Sequence, residues 1–147
     1  MVLDRAIRLA LWVAYRVMRM RRYFGPPTHF GVGVAVWHDG KVLVVRHSYR
    51  HGVSIPGGRV KRNEQPITAA CRELREEVGI LAKPSDLKPI RSDLCGPNRQ
   101  IFEYRPFNKP TIKIDNREII DARFVEPTEA YERCPWYRDY LRFRVSK

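Results

Sequence analysis

Three cysteines, Cys71, Cys95 and Cys134, are all that a chain of 147 residues carries, and no two form a CxxC pair. That number is odd and the spacing is wide, which excludes a disulfide framework and a cysteine-based zinc site and fits a reducing, cytoplasmic setting. Long apolar runs are also missing. The longest uncharged stretch near the start is Leu9 to Tyr15, bounded by Arg8 and Arg16. A bilayer span needs ~20 predominantly apolar residues, so this is no transmembrane helix. No small-residue cleavage site follows a clean apolar run, and arginines continue through the segment. Repeats and low-complexity tracts are absent. Acidic residues are the scarcest class relative to their counterparts: 16 against 28 Lys and Arg, for a net charge of +12. Such a surface attracts polyanions, whether nucleotides, nucleic acid or anionic lipid.

What is present reads as one globular domain with an addition. Residues 1–24 hold six Arg and one Asp, a local charge of +5. Leu3, Ile7, Ala10, Leu11, Ala14, Val17 and Met18 repeat at helical spacing, with most arginines off that stripe. Gly25-Pro26-Pro27 stops the helix. An amphipathic helix of this kind packs on its own domain or on a partner subunit, as in a homodimer, lies on an anionic membrane surface, or serves as a leader. From residue 25 to 147 the pattern is mixed. Phe30 to Val36 and Lys41 to Arg46 alternate as strands around the His38-Asp39-Gly40 turn. Residues 66–78 read as a helix, residues 86–95 and 99–107 as paired strands around Gly96-Pro97-Asn98, and Ile119 to Val125 as another strand. Short helices follow at Pro127 to Tyr131 and Trp136 to Phe143. Hairpins beside one central helix give an α/β or α+β class.

The helix at 66–78 carries the chemistry. At ~100° per residue, Glu73, Glu76 and Glu77 share an arc of ~100°, beside an apolar arc of Ile67, Ala70, Cys71, Leu74 and Val78. Like charges at i,i+3 and i,i+4 repel, by roughly 0.2–0.5 kcal/mol per pair. They also stand in the last turns before Gly79, where the helix dipole presents its negative end. A divalent cation reverses both penalties, and oxygen donors favour Mg²⁺ or Mn²⁺ over zinc. A solvated helix face with Arg72 and Arg75 as counter-ions is the plain alternative for these residues taken alone.

The flanking residues decide between them. From Gly58 the chain runs GRVKRNEQPITAACRELREEVGI. It resembles the Nudix box, GX5EX7REUXEEXGU with U apolar, at every fixed position, a coincidence too improbable at average residue usage. The box covers residues 58–80, and a looser likeness extends over 28–131. The resemblance implies an α/β/α sandwich with a mixed sheet, preceded here by an extra N-terminal helix. It implies an Mg²⁺-dependent (or Mn²⁺-dependent) hydrolase that splits a nucleoside diphosphate from a linked moiety X. By the same resemblance Glu76 and Glu77 are metal ligands and Glu73 is a ligand or the water-activating base. Arg72 positions Glu73, Glu64 adds a ligand or orients water, and Gly57 and Gly58 bring a backbone carbonyl to the metal. Glu118, just before the strand IIDARFV, is the candidate for a ligand or base outside the box, with Glu103 a weaker alternative.

Arg46, His47, Tyr49, Arg50 and His51, just upstream of Pro56-Gly57-Gly58, are candidates to hold phosphates or stack a base. Subgroup marks leave the substrate open. The Pro that often marks ADP-ribose hydrolases is replaced by Cys95, the Tyr of dinucleoside polyphosphate hydrolases by Gly96, and the coenzyme A signature is met only at Arg46, Arg50 and Pro56-Gly57-Gly58. An NDP-sugar-like compound ranks first and a (d)NTP second. The 5′ end of RNA ranks below both, because no aromatic-and-basic RNA motif is present. The expected partner is thus a small nucleotide-type molecule.

Overall fold

The computed structural model describes residues 2–23 and 30–145, with side chains from residue 3 to 17 and from 30 on. The elements run α1 (Val2–Tyr23), β1 (Gly31–His38), β2 (Lys41–His47), β3 (Gly57–Arg59), α2 (Pro66–Val78), β4 (Leu87–Pro89), β5 (Arg99–Tyr104), β6 (Ile119–Val125), α3 (Pro127–Arg133) and α4 (Arg138–Val145). The sheet is mixed, in the order β4-β5-β1-β2-β6, with β3 also paired to β1. Strands β1 and β5 are parallel, whereas the β1–β2 and β2–β6 pairs are antiparallel. Asp39 and Gly40 both take positive φ, 48° and 72°, as a two-residue hairpin turn requires.

Strand β1 is buried along nearly its whole length because both faces are covered. Alternate side chains serve opposite layers. Val32, Val34, Val36, Leu43 and Val45 pack with Ala69, Ala70, Leu74 and Val78 of α2. Ala35, Trp37, Val42 and Val44 pack on the other side with Ala130, Tyr137, Tyr140 and Leu141 from the α3–α4 end of the chain. The result is the α/β/α sandwich expected of the sequence.

Helix α2 opens with Pro66 after an extended Gln65, a position where the missing N–H costs nothing. It ends on Gly79 in the left-handed region (φ 72°, ψ 11°), whose N–H donates to Arg75 O, while Ile80 N–H donates to Leu74 O.

Two sequence expectations change. Of residues 86–95, only Leu87–Pro89 form a strand, antiparallel to β5, and a single 3-10 turn at Ser92–Leu94 follows. One further bond, from the Ile90 N–H to the Ile101 carbonyl at 2.9 Å, follows before the chain turns away. Strand β3 was not anticipated, since Gly-Gly-Arg has no alternating pattern; it forms because the glycines let the chain lie against the start of β1.

Helix α1 meets the domain through one face. Asp4, Ile7, Arg8, Leu11 and Tyr15 are partly covered, whereas Leu3, Leu9, Trp12, Val13 and Val17 are exposed. The apolar stripe expected to be buried is therefore split, and Met18 lies outside the described side chains. The contacts are specific: Arg8 donates to the Asn116 carbonyl, Arg117 pairs with Asp4 at 3.3 Å, and the Tyr15 and Tyr49 rings lie 5.3 Å apart. No helix among the described residues is long and apolar enough to cross a membrane.

Candidate active site

The start of β1, strand β3 and the end of β2 converge on the acidic side of α2. Gly58 lies so close to α2 that an added Cβ would overlap the Glu73 carboxylate, and one at Gly57 would overlap the Val32 carbonyl. Gly57, set against backbone atoms, needs glycine for this approach, whereas a side chain at Gly58 would displace the Glu73 carboxylate. The Gly57 N–H donates to Glu77 Oε2 at 2.9 Å. The box is therefore a folded unit in which strand and helix touch directly.

Its carboxylates divide into two groups. Arg72 gathers the first. Its Nε and Nη2 make a two-pronged contact to Glu64 at 2.9 and 3.0 Å, and its Nη1 reaches Glu73 at 2.7 Å and Glu76 at 3.2 Å. The guanidinium also donates to the Arg59 carbonyl. This hydrogen bonding holds Glu64 down at a pKa of about 2. Burial pushes Glu73 the other way, to about 6, although Arg72 opposes the rise.

Glu77 forms the second group, and it corrects the helix arithmetic. The side chain is 5% exposed, and the buried residues of α2 are Ala69, Ala70, Leu74, Glu77 and Val78. Glu77 is thus inside the buried arc, not beside it, because Gly57 of β3 and His47 of β2 lie directly against it. Its Oε1 is hydrogen bonded to His47 Nε2 at 3.0 Å. Burial raises Glu77 well above the carboxylate range, and burial together with the Arg50 cation lowers His47 to about 3. The Nε2–Oε1 hydrogen bond joins an imidazole held uncharged to a carboxyl whose pKa is raised, and no cation of the chain hydrogen bonds Glu77 among the described contacts.

Glu118 completes the corner. It stands just before β6, exposed, and Tyr49 Oη donates to its Oε1 at 2.8 Å. Asp115 builds the turn that presents it: one Oδ1 accepts from the N–H groups of Arg117, Glu118 and Ile119. The Ser48 N–H holds the Glu118 carbonyl at 2.8 Å. His47, Glu77 and Glu118 each offer a ligand atom within 4.8 Å of the other two. Two carboxylates and one imidazole are a predominantly oxygen donor set, which fits a divalent cation, while Glu73 and Glu76 are held beside it by Arg72.

The upstream candidates separate. His47 is 3% exposed and belongs to the donor cluster, so it offers no free cation to a phosphate. Strand alternation from Leu43 and Val45 puts it on the α2 side of the sheet. Arg50 Nη2 lies 3.1 Å from both ring nitrogens of His47, and its guanidinium sits over the Tyr49 ring. Tyr49 is committed to Glu118. Arg46 is exposed and pairs in register with Asp121, following Val44 on the α3 side of the sheet, and His51 is exposed. Glu103 is on that same side. It accepts from Tyr140 Oη at 2.7 Å, pairs with Arg105 at 3.4 Å and contacts Arg144, so it is no part of this corner. Sequence reasoning missed Asp115 and Tyr15. The Asp115-Asn116 pair is a turn signal that could have pointed to the first.

The NUDIX domain model matches residues 27–143. The chain belongs to the Nudix hydrolase family. Membership fixes the class of bond hydrolysed, a pyrophosphate. Among relatives, the chain is similar to an ADP-ribose pyrophosphatase of Bacillus subtilis strain 168, with 30% identity over 65% of this chain and 54% of that protein. It is also similar to an RNA pyrophosphohydrolase of Halorhodospira halophila, with 39% identity over 50% of this chain and 38% of that protein. The chain thus spans about half or less of these two curated relatives. Among solved structures, the dihydroneopterin triphosphate pyrophosphohydrolase of E. coli has a TM-score of 0.64 at 18% identity, covering 80% of this chain and 96% of that one, and this likeness speaks for the fold. Nudix hydrolases generally use divalent metals, in keeping with the donor set described above.

Proposed function

We propose that this Nudix hydrolase cleaves a nucleoside diphosphate linked to X, an NDP-sugar or ADP-ribose-like compound, into a nucleotide and phosphorylated X, with Mg²⁺ or Mn²⁺. The observation that carries the reading is the buried Glu77 carboxyl beside Glu118 and His47, with no cation hydrogen bonded to it among the described residues. Glu73, Glu76, Glu77 and Glu118 would hold the ion, with Glu64 and the backbone at Gly57-Gly58 supporting them. When bound, the ion supplies neutralisation of the phosphate oxygens and a lower pKa for the attacking water.

The rest is done by the chain. Glu73, with its pKa near 6, is suited to accept a proton from water at neutral pH. Arg72 fixes its Oε1. Tyr49 orients Glu118. Arg50, half-buried at the edge of the corner, is the nearest of the upstream cations to the cluster and the candidate for a phosphate contact. Arg46 and His51 would act only at the periphery. Three free cysteines fit a cytoplasmic enzyme.

A panel of NDP-sugars, ADP-ribose, (d)NTPs and triphosphorylated RNA, assayed for released phosphate species with Mg²⁺ or Mn²⁺, tests the assignment. NDP-sugars or ADP-ribose should turn over fastest. Faster turnover of RNA, with affinity falling steeply as salt rises, would instead assign the +12 surface to RNA docking. Glu76→Gln should remove metal-dependent hydrolysis without unfolding the chain, since it deletes one of three crowded charges. Activity near wild type would refute the ligand assignment.

A further inference from the structure

Helix α1 shows two unlike faces. The inner face carries the contacts that hold it: Arg8 to the Asn116 carbonyl, Asp4 to Arg117, and the Tyr15 ring on Tyr49. The outer face is apolar where a water-facing helix surface is ordinarily polar. Leu9 is 62% exposed, Val13 47%, Val17 51% and Trp12 41%. At ~100° per residue, Leu9, Val13 and Val17 form one stripe opposite Leu11, and Trp12, Arg16 and Arg5 border it along one edge. The Arg16 guanidinium lies over the Trp12 ring at 4.9 Å. These side chains are not scattered singly, so they mark a surface with a partner.

The shape and charge choose that partner. A stripe on the outside of a helix is convex, so it suits a plane better than a protein cleft. Residues 1–24 carry +5 within a chain of +12. A second copy of the helix laid on this face would set arginines against arginines. An anionic lipid surface complements both features: apolar side chains enter the headgroup–acyl boundary, arginines meet phosphates, and tryptophan takes the interface level where it is enriched. We propose that α1 docks the protein on an anionic membrane through Leu9, Trp12, Val13 and Val17, with Arg5 and Arg16 against the lipid phosphates. The inner-face contacts stay in place in this arrangement, so docking asks for no rearrangement of the domain. The inference is independent of the substrate reading, because binding is measured without substrate.

The test is co-sedimentation of the full chain with vesicles of phosphatidylcholine alone and of phosphatidylcholine with about one third phosphatidylglycerol, at low and high salt. Partition onto the anionic vesicles should be at least about tenfold greater and should drop at high salt. The pair Leu9→Asp and Val13→Asp should lower it by at least about tenfold. Arg5→Ala and Arg16→Ala should each lower it roughly fivefold. Each variant should keep the wild-type circular dichroism spectrum and rate of hydrolysis. Trp12→Ser gives a milder apolar variant should the aspartates disturb the helix. Wild-type protein left in the supernatant with both vesicles would overturn the proposal. So would equal binding to both, or variants that bind as wild type does. A dimer in light scattering that the aspartate pair dissociates, with no vesicle binding, would give the face to a second copy.

Discussion

Two buried carboxylates lie on opposite faces of the same sheet, and the chain treats them in opposite ways. Glu103 on β5 is met by the Tyr140 hydroxyl and by two guanidinium groups, those of Arg105 and Arg144. Tyr140 in turn accepts a hydrogen bond from the Trp37 indole at 2.7 Å. Among the described contacts Glu77 on α2 is hydrogen bonded by an imidazole held uncharged and one backbone N–H; the Arg50 cation stands beyond that imidazole without reaching the carboxylate, and Glu118 and Glu76 add repulsion. Burying a charge without a counter-charge is expensive, so it persists only where something else supplies the charge. The first site is closed within the chain and serves stability. The second has no guanidinium bonded to it among the described contacts, which is what the proposed dication would make good. Burial alone does not distinguish them, whereas the identity of the neighbours does.

That contrast can be broken at either end. Glu77→Gln keeps an acceptor for the Gly57 N–H and a donor for His47 but removes the charge. Turnover with saturating Mg²⁺ should fall at least about a thousandfold, or about 4 kcal/mol, while the metal-free protein should melt no lower than wild type at pH 7.5 or above. A large loss of stability would make Glu77 a structural residue like Glu103. Glu103→Leu should do the reverse: it strands the Tyr140 hydroxyl and costs about 1–3 kcal/mol in denaturant unfolding, with kcat per folded molecule unchanged. Tyr49→Phe removes a single hydrogen bond to Glu118, worth about 1–2 kcal/mol for a charged acceptor. The apparent affinity for Mn²⁺, followed by its paramagnetic resonance signal, should weaken about tenfold, and the ring contact with Tyr15 should survive.

The smallest effect is in pH. A carboxyl whose pKa is raised by folding binds more protons folded than unfolded, so stability falls as pH rises through its range. Burial raises both Glu77 and Glu73, the latter to about 6. His47, lowered to about 3, has the opposite slope, which ends at its ordinary value of 6.5. Above pH 6.5 the glutamates act alone, so stability of the metal-free protein should decline with pH, by less than about 1.4 kcal/mol per unit for one proton. Saturating Mg²⁺ should flatten the decline. A rise with pH under both conditions would contradict the assignment of the buried proton.

Legibility followed the distance over which contacts are made. The box was readable because Gly58, Glu64, Arg72 and the three helical glutamates are neighbours in sequence and their geometry is set by one strand, one loop and one helix. The hairpin at Asp39-Gly40 and the cap at Gly79 were readable for the same local reason. The role of His47 was not, because its partner is 30 residues away and only the folded sheet sets the end of β2 against α2. Glu118 could be nominated from its place before a strand, but the groups that aim it, Asp115 and Tyr49, come together only in the folded chain. The depth of Glu77 was misjudged because a wheel of residue types cannot show that the facing strand is two glycines. The split of α1 into an inner and an outer face was equally invisible, since both faces contain apolar residues.

One backbone contact has a consequence for how this fold can vary. Lys113 N–H donates to the Val78 carbonyl at 2.9 Å, and Gly79 leaves room for the Lys113 side chain. The segment that ends in Glu118 is thereby moored to the tip of the helix that carries Glu77. Only the few residues after the mooring gauge the gap between these two carboxylates. Insertions upstream, at the exposed 107–109 tip, have slack to absorb them, whereas one added residue between Lys113 and Glu118 would be transmitted in full to the corner.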